Sequence, residues 1–278
     1  MTKPLTNNSI QPTMKKTIRK IAPLALVLLG LATLSFTAND GITLRLRPNK
    51  GKTYTVNSKQ TSMSIMEVQG QTMNSTQSIE TRQTFTAQEV TDAQSTFETQ
   101  VEAMKLSISQ MGMKLEYDSE HPEKTSPMLA GQTAEMEKEL NKPVTVAYNA
   151  LGELVGDPSE LTSNQLGNVI INLPEGEISV GSTWTNEKTQ SVSGIEFTVS
   201  TEYTVTAISK KSVDVSYKGT VTSDDVTGST EGTASINPQT GIVMKTNGKQ
   251  NISMTITEQG MSIPLTTAAN VTITVEEK

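Results

Sequence analysis

The chain has one histidine, His121, set in EYDSEHPE among Glu116, Asp118, Glu120 and Glu123. Carboxylates at alternating positions of a strand face one way, and such oxygen ligands suit a hard cation such as calcium. The spacing matches no calcium loop, so the plainer reading is a solvated strand end running into a loop, with no metal site. A nucleophilic triad would have to use His121, and no GxSxG elbow accompanies it. With no cysteine, the chain has no thiolate nucleophile, thiolate metal ligand or disulfide. GxGxxG and GxxxxGK[ST] are also absent, and no cofactor is expected. A pair of carboxylates able to hydrolyse glycosides could arise from any of the 29 acids once the fold brings two together. Carbohydrate clefts, however, offer aromatic platforms. The single tryptophan, Trp184, reads as a core or rim residue at a turn before a strand.

Methionine is the one enrichment with binding potential. Eleven of the 13 follow the first 38 residues, in a stretch with nine aromatics. Methionine adapts to irregular apolar ligands, although it also fills core gaps where aromatic rings would otherwise sit. Met63, Met66, Met104, Leu106 and Met136 are the candidate lining of an apolar groove, because they fall on strands and a helix near a central insertion.

The N-terminus supplies a location. The basic run KKTIRK precedes the apolar IAPLALVLLGLATLSF, the pattern of a secretory signal peptide over 1–38, with Met14 a possible start. The apolar run is shorter than the roughly 20 residues that span a bilayer as a helix, so no transmembrane segment is expected in the mature chain. Export to the periplasm or cell surface follows. Setting aside the five bases of the leader leaves 18 Lys and Arg against 29 Asp and Glu, a net charge of −11. Such a chain repels nucleic acid and anionic membrane surfaces.

Beyond the leader, apolar positions alternate and Ser and Thr recur, as in half-buried antiparallel strands. In GIEFTVSTEYTVTAI the residues Ile195, Phe197, Val199, Thr201, Tyr203, Val205 and Ala207 share one face, and after SKK a second alternating run completes a hairpin. Further strands are expected at 42–47, 52–67, 72–88, 94–108, 112–118, 230–237, 241–248, 250–258 and 268–276, with NPQTG as a tight turn. The apolar phase shifts between Ala103 and Met104, as at a β-bulge. Ser126 and Pro127 open a helix with Leu129, Met136 and Leu140 on one stripe, and Asp157, Pro158 and Glu160 open a second that stops at Gly167. The fold class is mainly β: an antiparallel curved sheet, open barrel or sandwich of about 10–12 strands, with one or two short helices in a central insertion. The β domain covers 39–278, divisible into halves at 42–118 and 180–276 around the insertion at 119–179.

Those halves carry related openings, KGKTYTV at 50–56 and VGSTWTN at 180–186, and TFTA at 84–87 is echoed by TVTA at 204–207. Both a diverged duplication and the cheap likeness of Thr-rich strands account for this. The segments LPEGEISVGSTW, LRLRPNKGKTYTV and GTASINPQTGIVMKT together resemble a family of uncharacterised exported bacterial envelope proteins, a domain of unknown function, over most of 42–276. Many members of that family look like lipoproteins, whereas this chain lacks the cysteine. The family has no assigned active site, so the resemblance transfers no functional residue.

The leading expectation is a non-enzymatic exported binding module for an apolar small molecule, a peptide or another envelope protein. The alternatives are a structural or adhesive envelope protein and, third, a carboxylate-based hydrolase. Mature protein isolated from the cell envelope is expected to begin between residues 35 and 41. N-terminal sequencing checks this, and an intact Met1 or Met14 terminus in that fraction defeats it.

Overall fold

The computed structural model describes residues 41–68, 70–156, 169–192, 195–258 and 261–278. The chain divides into Met1–Asn39 and Asp40–Lys278. The first unit, which holds the leader assigned to 1–38, lies outside the described residues, as does the helix start expected at Asp157, Pro158 and Glu160.

The period-two sequence becomes one antiparallel sheet. Its strands are β1 Thr53–Val68, β2 Gln71–Val90, β3 Gln94–Gln110, β4 Met113–Asp118, β5 Val144–Asn149, β6 Leu154–Val155, β7 Thr183–Val192, β8 Ile195–Ile208, β9 Val213–Thr222, β10 Val226–Ile236, β11 Val243–Glu258 and β12 Met261–Glu277. The order is β6-β5-β3-β2-β1-β12-β11-β10-β9-β8-β7, with β4 also paired to β3. The first and last long strands pair with each other, from Tyr54↔Glu277 to Met66↔Leu265, and this joins the two ends of the chain into one sheet.

Four local outcomes differ from the sequence reading. Residues 42–47 form a single bridge, Ile42↔Ile178, and otherwise run as extended chain. The two strands expected at 241–248 and 250–258 are one, because Gly248 stays in register with Gly232 and Val271 on either side. Ala207 does not continue the face of Val205, because the register slips between them. In β3 the slip falls at Glu102: Gln83 faces Val101 and Arg82 faces Ala103, which returns Met104 and Leu106 to the face of Phe97 and Val101. Ser126 does not cap its helix. Its hydroxyl accepts the Glu116 amide, and a 3-10 turn at Pro127–Leu129 leads into α1, Ala130–Glu139.

Hydrogen bonds at one end of the sheet reveal its curvature. The Asn172 carbonyl accepts hydrogen bonds from Trp184 Nε1 and Asn186 Nδ2 on β7, each 3.0 Å long. The next residue, Leu173, donates its amide to Leu151 in the turn between β5 and β6, at 2.7 Å. β7 and β6 are the opposite ends of the strand path, about 45 Å apart in a flat sheet. Two consecutive residues cannot span that distance, so the sheet is rolled and its edges meet across the 169–173 segment. The same holds for Leu46 and Arg47, which donate to Ala150 beyond β5 at 2.8 Å and to Thr240 before β11 at 2.9 Å.

These segments also form the core. Leu44, Leu46, Val169, Ile170, Ile171 and Leu173 pack inside the roll against Tyr54, Phe85, Phe97, Tyr148, Val205, Val215, Ile236 and Ile273. Every one of these strand residues lies at the same end of the sheet. A smaller cluster of Leu106, Tyr117 and Leu129 marks where the insertion covers β3 and β4. β1, β2, β3, β11 and β12 run 16 to 20 residues, about three times the usual strand length. They therefore extend well beyond the main core.

Within the core, rings cross four strands. Tyr54 stacks on Phe85 at 4.9 Å, Phe85 meets Phe97 edge-on at 5.6 Å, and Phe97 meets Tyr148 at 6.2 Å. Phe85 is fully buried at the centre of this row. Phe85→Ala is expected to cost about 3 to 5 kcal/mol, measured by urea unfolding, and a loss below about 1 kcal/mol would show that the row is not a stability centre.

Candidate functional site

A glycine turn feeding an aromatic strand is built twice with the same bonds. Gly51 donates to Ala87 at 2.7 Å and Ala87 to Lys52 at 3.0 Å, while Gly181 donates to Val205 at 2.8 Å and Val205 to Ser182 at 2.9 Å. Each pair of turns sets the next residues face to face, Tyr54↔Phe85 and Trp184↔Tyr203. Hydrogen bonding aligns TFTA with residues 202–205, two positions from the TVTA match suggested by composition. The rings stack alike, at 4.9 and 5.1 Å. Their surroundings differ: Tyr54 and Phe85 are buried, whereas Trp184 and Tyr203 stay partly exposed.

The second row continues to Tyr217 on β9, 5.9 Å from Tyr203. Beyond it lie Gly232 on β10 and Gly248 on β11, and a Cβ on Gly232 would come 2.6 Å from the Tyr217 hydroxyl. A Cβ on Gly248 would collide with the same oxygen. The two glycines form a shelf that leaves room for the hydroxyl end of the ring. Burial pushes the Tyr203 phenol up to about 12, against an opposing hydrogen bond from Asn186.

Strand alternation and register then assign every side chain in the long strands to one face. Inside the roll, beyond the core, β1 presents Ser58, Gln60, Ser62, Ser64, Met66 and Val68. Opposite them β12 presents Val271, Ala269, Thr267 and Leu265, and β2 presents Thr81, Ile79, Gln77, Ser75 and Met73. β8 to β11 add Phe197, Val199, Thr201, Tyr217, Gly219, Val221, Val226, Thr230, Ile252 and Met254. None of these carries a charge. Many are half-buried and touch neither core cluster. Lys188 on β7, opposite Val199 and in step with Trp184 and Asn186, shares this face and is charged.

The other face is charged. Lys59 pairs with Glu80 at 2.7 Å, Arg82 with Glu120 at 2.7 Å and Glu102 at 3.3 Å, and Lys105 with Asp118 at 3.1 Å. The Arg82 hydrogen bond holds the Glu120 carboxyl below its ordinary range. Asp118 and Glu120 thus face cationic side chains, Glu116 meets Lys114, and His121 meets Glu123. Among the described residues no group of three or more such side chains is placed to hold a metal ion. A shallow cavity of about 290 Å³ opens here, lined by Lys59, Glu80, Arg82, Lys105, Glu120 and their neighbours.

The five residues singled out from sequence separate. Met104 and Leu106 lie together inside the roll beside Ile79 and Leu129. Met66 is on the same face at the far hairpin, opposite Met73. Met63 is on the charged face and half exposed, because three residues along a strand reverse the side. Met136 is half-buried on α1. Sequence reasoning missed the row of Trp184, Tyr203 and Tyr217 and the place of Lys188, although Gly219, Gly228, Gly232 and Gly248 within strands were a signal of close approach.

The fold and face pattern define an antiparallel, rolled β-sheet protein whose inner surface carries little charge. The model of a family of unknown function (DUF6263) matches residues 159–261, which include β7 to β11 and two of the three motifs quoted above, in agreement with an uncharacterised domain family. No curated protein matches the chain. Among solved structures it is similar to lipovitellin, studied for its lipid–protein interactions, at 12% identity and TM-score 0.47 over 82% of this chain, which spans 25% of that one. It is also similar to an outer membrane channel from Pseudomonas putida F1, at 9% identity and TM-score 0.27 over 83% of this chain and 98% of that one. A third similarity is to the translocator domain of autotransporter NalP from Neisseria meningitidis, at 8% identity and TM-score 0.23 over 82% and 90%.

Gly248→Val is expected to lift Tyr217 from its shelf, lower stability by about 1 to 3 kcal/mol and reduce the near-ultraviolet circular dichroism of the ring row. Asn247→Val, exposed on the opposite face, should leave the spectrum unchanged. Equal spectra for both variants would dissociate the ring row from its glycine shelf.

Proposed function

We propose that this protein is a non-enzymatic, exported binding module that holds an apolar ligand against the inner face of its rolled sheet. The observation that carries the reading is the segregation of charge. Long strands place Met, Ile, Val, Leu, Ser, Thr and Gly inside and Lys, Glu, Arg and Asp outside, over a length that the two core clusters do not fill. Apolar surface left inside a roll favours a guest that removes it from water, at about 25 cal/mol per Å². Specificity would come from shape, with few hydrogen bonds.

The same pattern argues against a membrane-spanning barrel, which turns its apolar band to lipid and its polar side chains to the lumen. Here the arrangement is reversed. The paired state of Asp118 and Glu120 leaves those acids poorly suited to hydrolysis. Among the described residues no helix is long and apolar enough to cross a membrane. The sequence pattern at 1–38 supports export to the periplasm or cell surface.

The test titrates the full-length protein with 1-N-phenylnaphthylamine, a neutral fluorophore that brightens in apolar surroundings. Saturable brightening is expected, and Ile252→Glu, which puts a carboxylate on the inner face, should weaken it at least tenfold. Ser253→Glu, one residue along and facing out, should not. Absence of saturable binding, or equal effects of the two variants, overturns the reading.

A further inference from the structure

Lys188 is the anomaly of the inner face. It stands on β7 opposite Val199, diagonal to Phe197 and Thr201, and two residues beyond Asn186. The stacked rings of Trp184 and Tyr203 lie about 13 Å back along the strand. A lysine without a partner beside Val199, Phe197 and Thr201 adds nothing to the packing of the fold. The acids of the same strands, Glu187, Glu196 and Glu202, belong by alternation to the outer face. No ion pair to Lys188 occurs among the described residues, and burial is the one influence on its ammonium, which it holds below the ordinary lysine range. Yet the side chain remains open to solvent. Register puts it on the inner face and its exposure leaves the ammonium within reach of a ligand.

Resting on the binding function proposed above, we infer that Lys188 is the headgroup site for a long-chain amphiphile with one anionic terminus, whose tail lies along the uncharged inner face. A single cation selects a single anion by charge complementarity, whereas a ligand with several charges would leave the rest unpaired against apolar wall. The direction of the tail follows from the residues available. From Lys188 the inner face continues over half-buried Val199 and, past the buried Val221 and Val226, to half-buried Ile252, Met254 and Leu265. Trp184, the chain's one tryptophan, lies in the same row of side chains, so its emission is a local reporter of occupancy.

The experiment uses the full chain and three probes that compete with bound 1-N-phenylnaphthylamine: oleate, oleyl phosphate and the neutral oleyl alcohol. In the unaltered protein, at least one anionic probe should displace the fluorophore about tenfold more effectively than the alcohol. The two anionic arms distinguish a carboxylate from a phosphate headgroup. Lys188→Met should abolish the preference and leave fluorophore and alcohol binding unchanged, while Lys188→Arg should retain it. If all three probes displace equally from the unaltered protein, or if Lys188→Met keeps the anionic preference, Lys188 is not the headgroup site even though the apolar site stands. If neither the fluorophore nor any probe binds, the binding function itself fails, and this inference with it. Circular dichroism of each variant confirms that the sheet is intact.

Discussion

Two consecutive residues hold this architecture in shape. Asn172 ties β7 through the Trp184 and Asn186 side chains, and Leu173 ties the turn at the opposite edge through its backbone. An open antiparallel sheet has exposed edges that pair with other chains. Bringing the edges together over a covalent segment gives both of them intramolecular partners and shuts the interior at one end. It also forces the strands to curve around the segments 41–47 and 169–173, whose side chains then become the centre of the core. The fold thus buries its apolar surface without a second sheet to pack against.

The remaining properties follow from strand length. The strands are far longer than the core needs, so their outer portions are organised by pairing and by the contrast between their two faces. An inner face with little charge and many small side chains can bend tightly. Four in-strand glycines occur there, and at two of them the Tyr217 ring supplies the missing side-chain surface across the neighbouring strands. The charged face is knitted by exposed ion pairs, each contributing little to stability by itself. Its larger effect is to keep that face hydrated and so to set the direction of the roll.

The repeated turn shows how one local design serves two purposes. The backbone bonds around Gly51 and Gly181 are the same, and both place a ring opposite a ring. The difference lies in what comes to rest on top. The Tyr54 row is sealed in the core with Leu44 and Leu46, while the Trp184 row is only partly covered and leads into the uncharged interior. Local sequence sets the motif, and the segments packed over it decide whether it is sealed in the core or left partly open.

Alternation by itself determined the β class, the positions of most strands and the hairpin at 195–222, because side-chain direction in a strand depends only on parity. The slip at Glu102 was legible for the same reason: an extra residue reverses the phase of everything after it. Parity also separates Met63 from Met66, but which face becomes the interior depends on the roll, and the roll depends on hydrogen bonds between residues more than 20 positions apart, such as Leu151 and Leu173. No local pattern encodes those contacts. For the same reason Lys188 reads in sequence as one of many exposed lysines. Only the joining of β7 to the distant edge makes its face the inner one, since the inside of a roll is a property of the whole sheet and not of any strand within it.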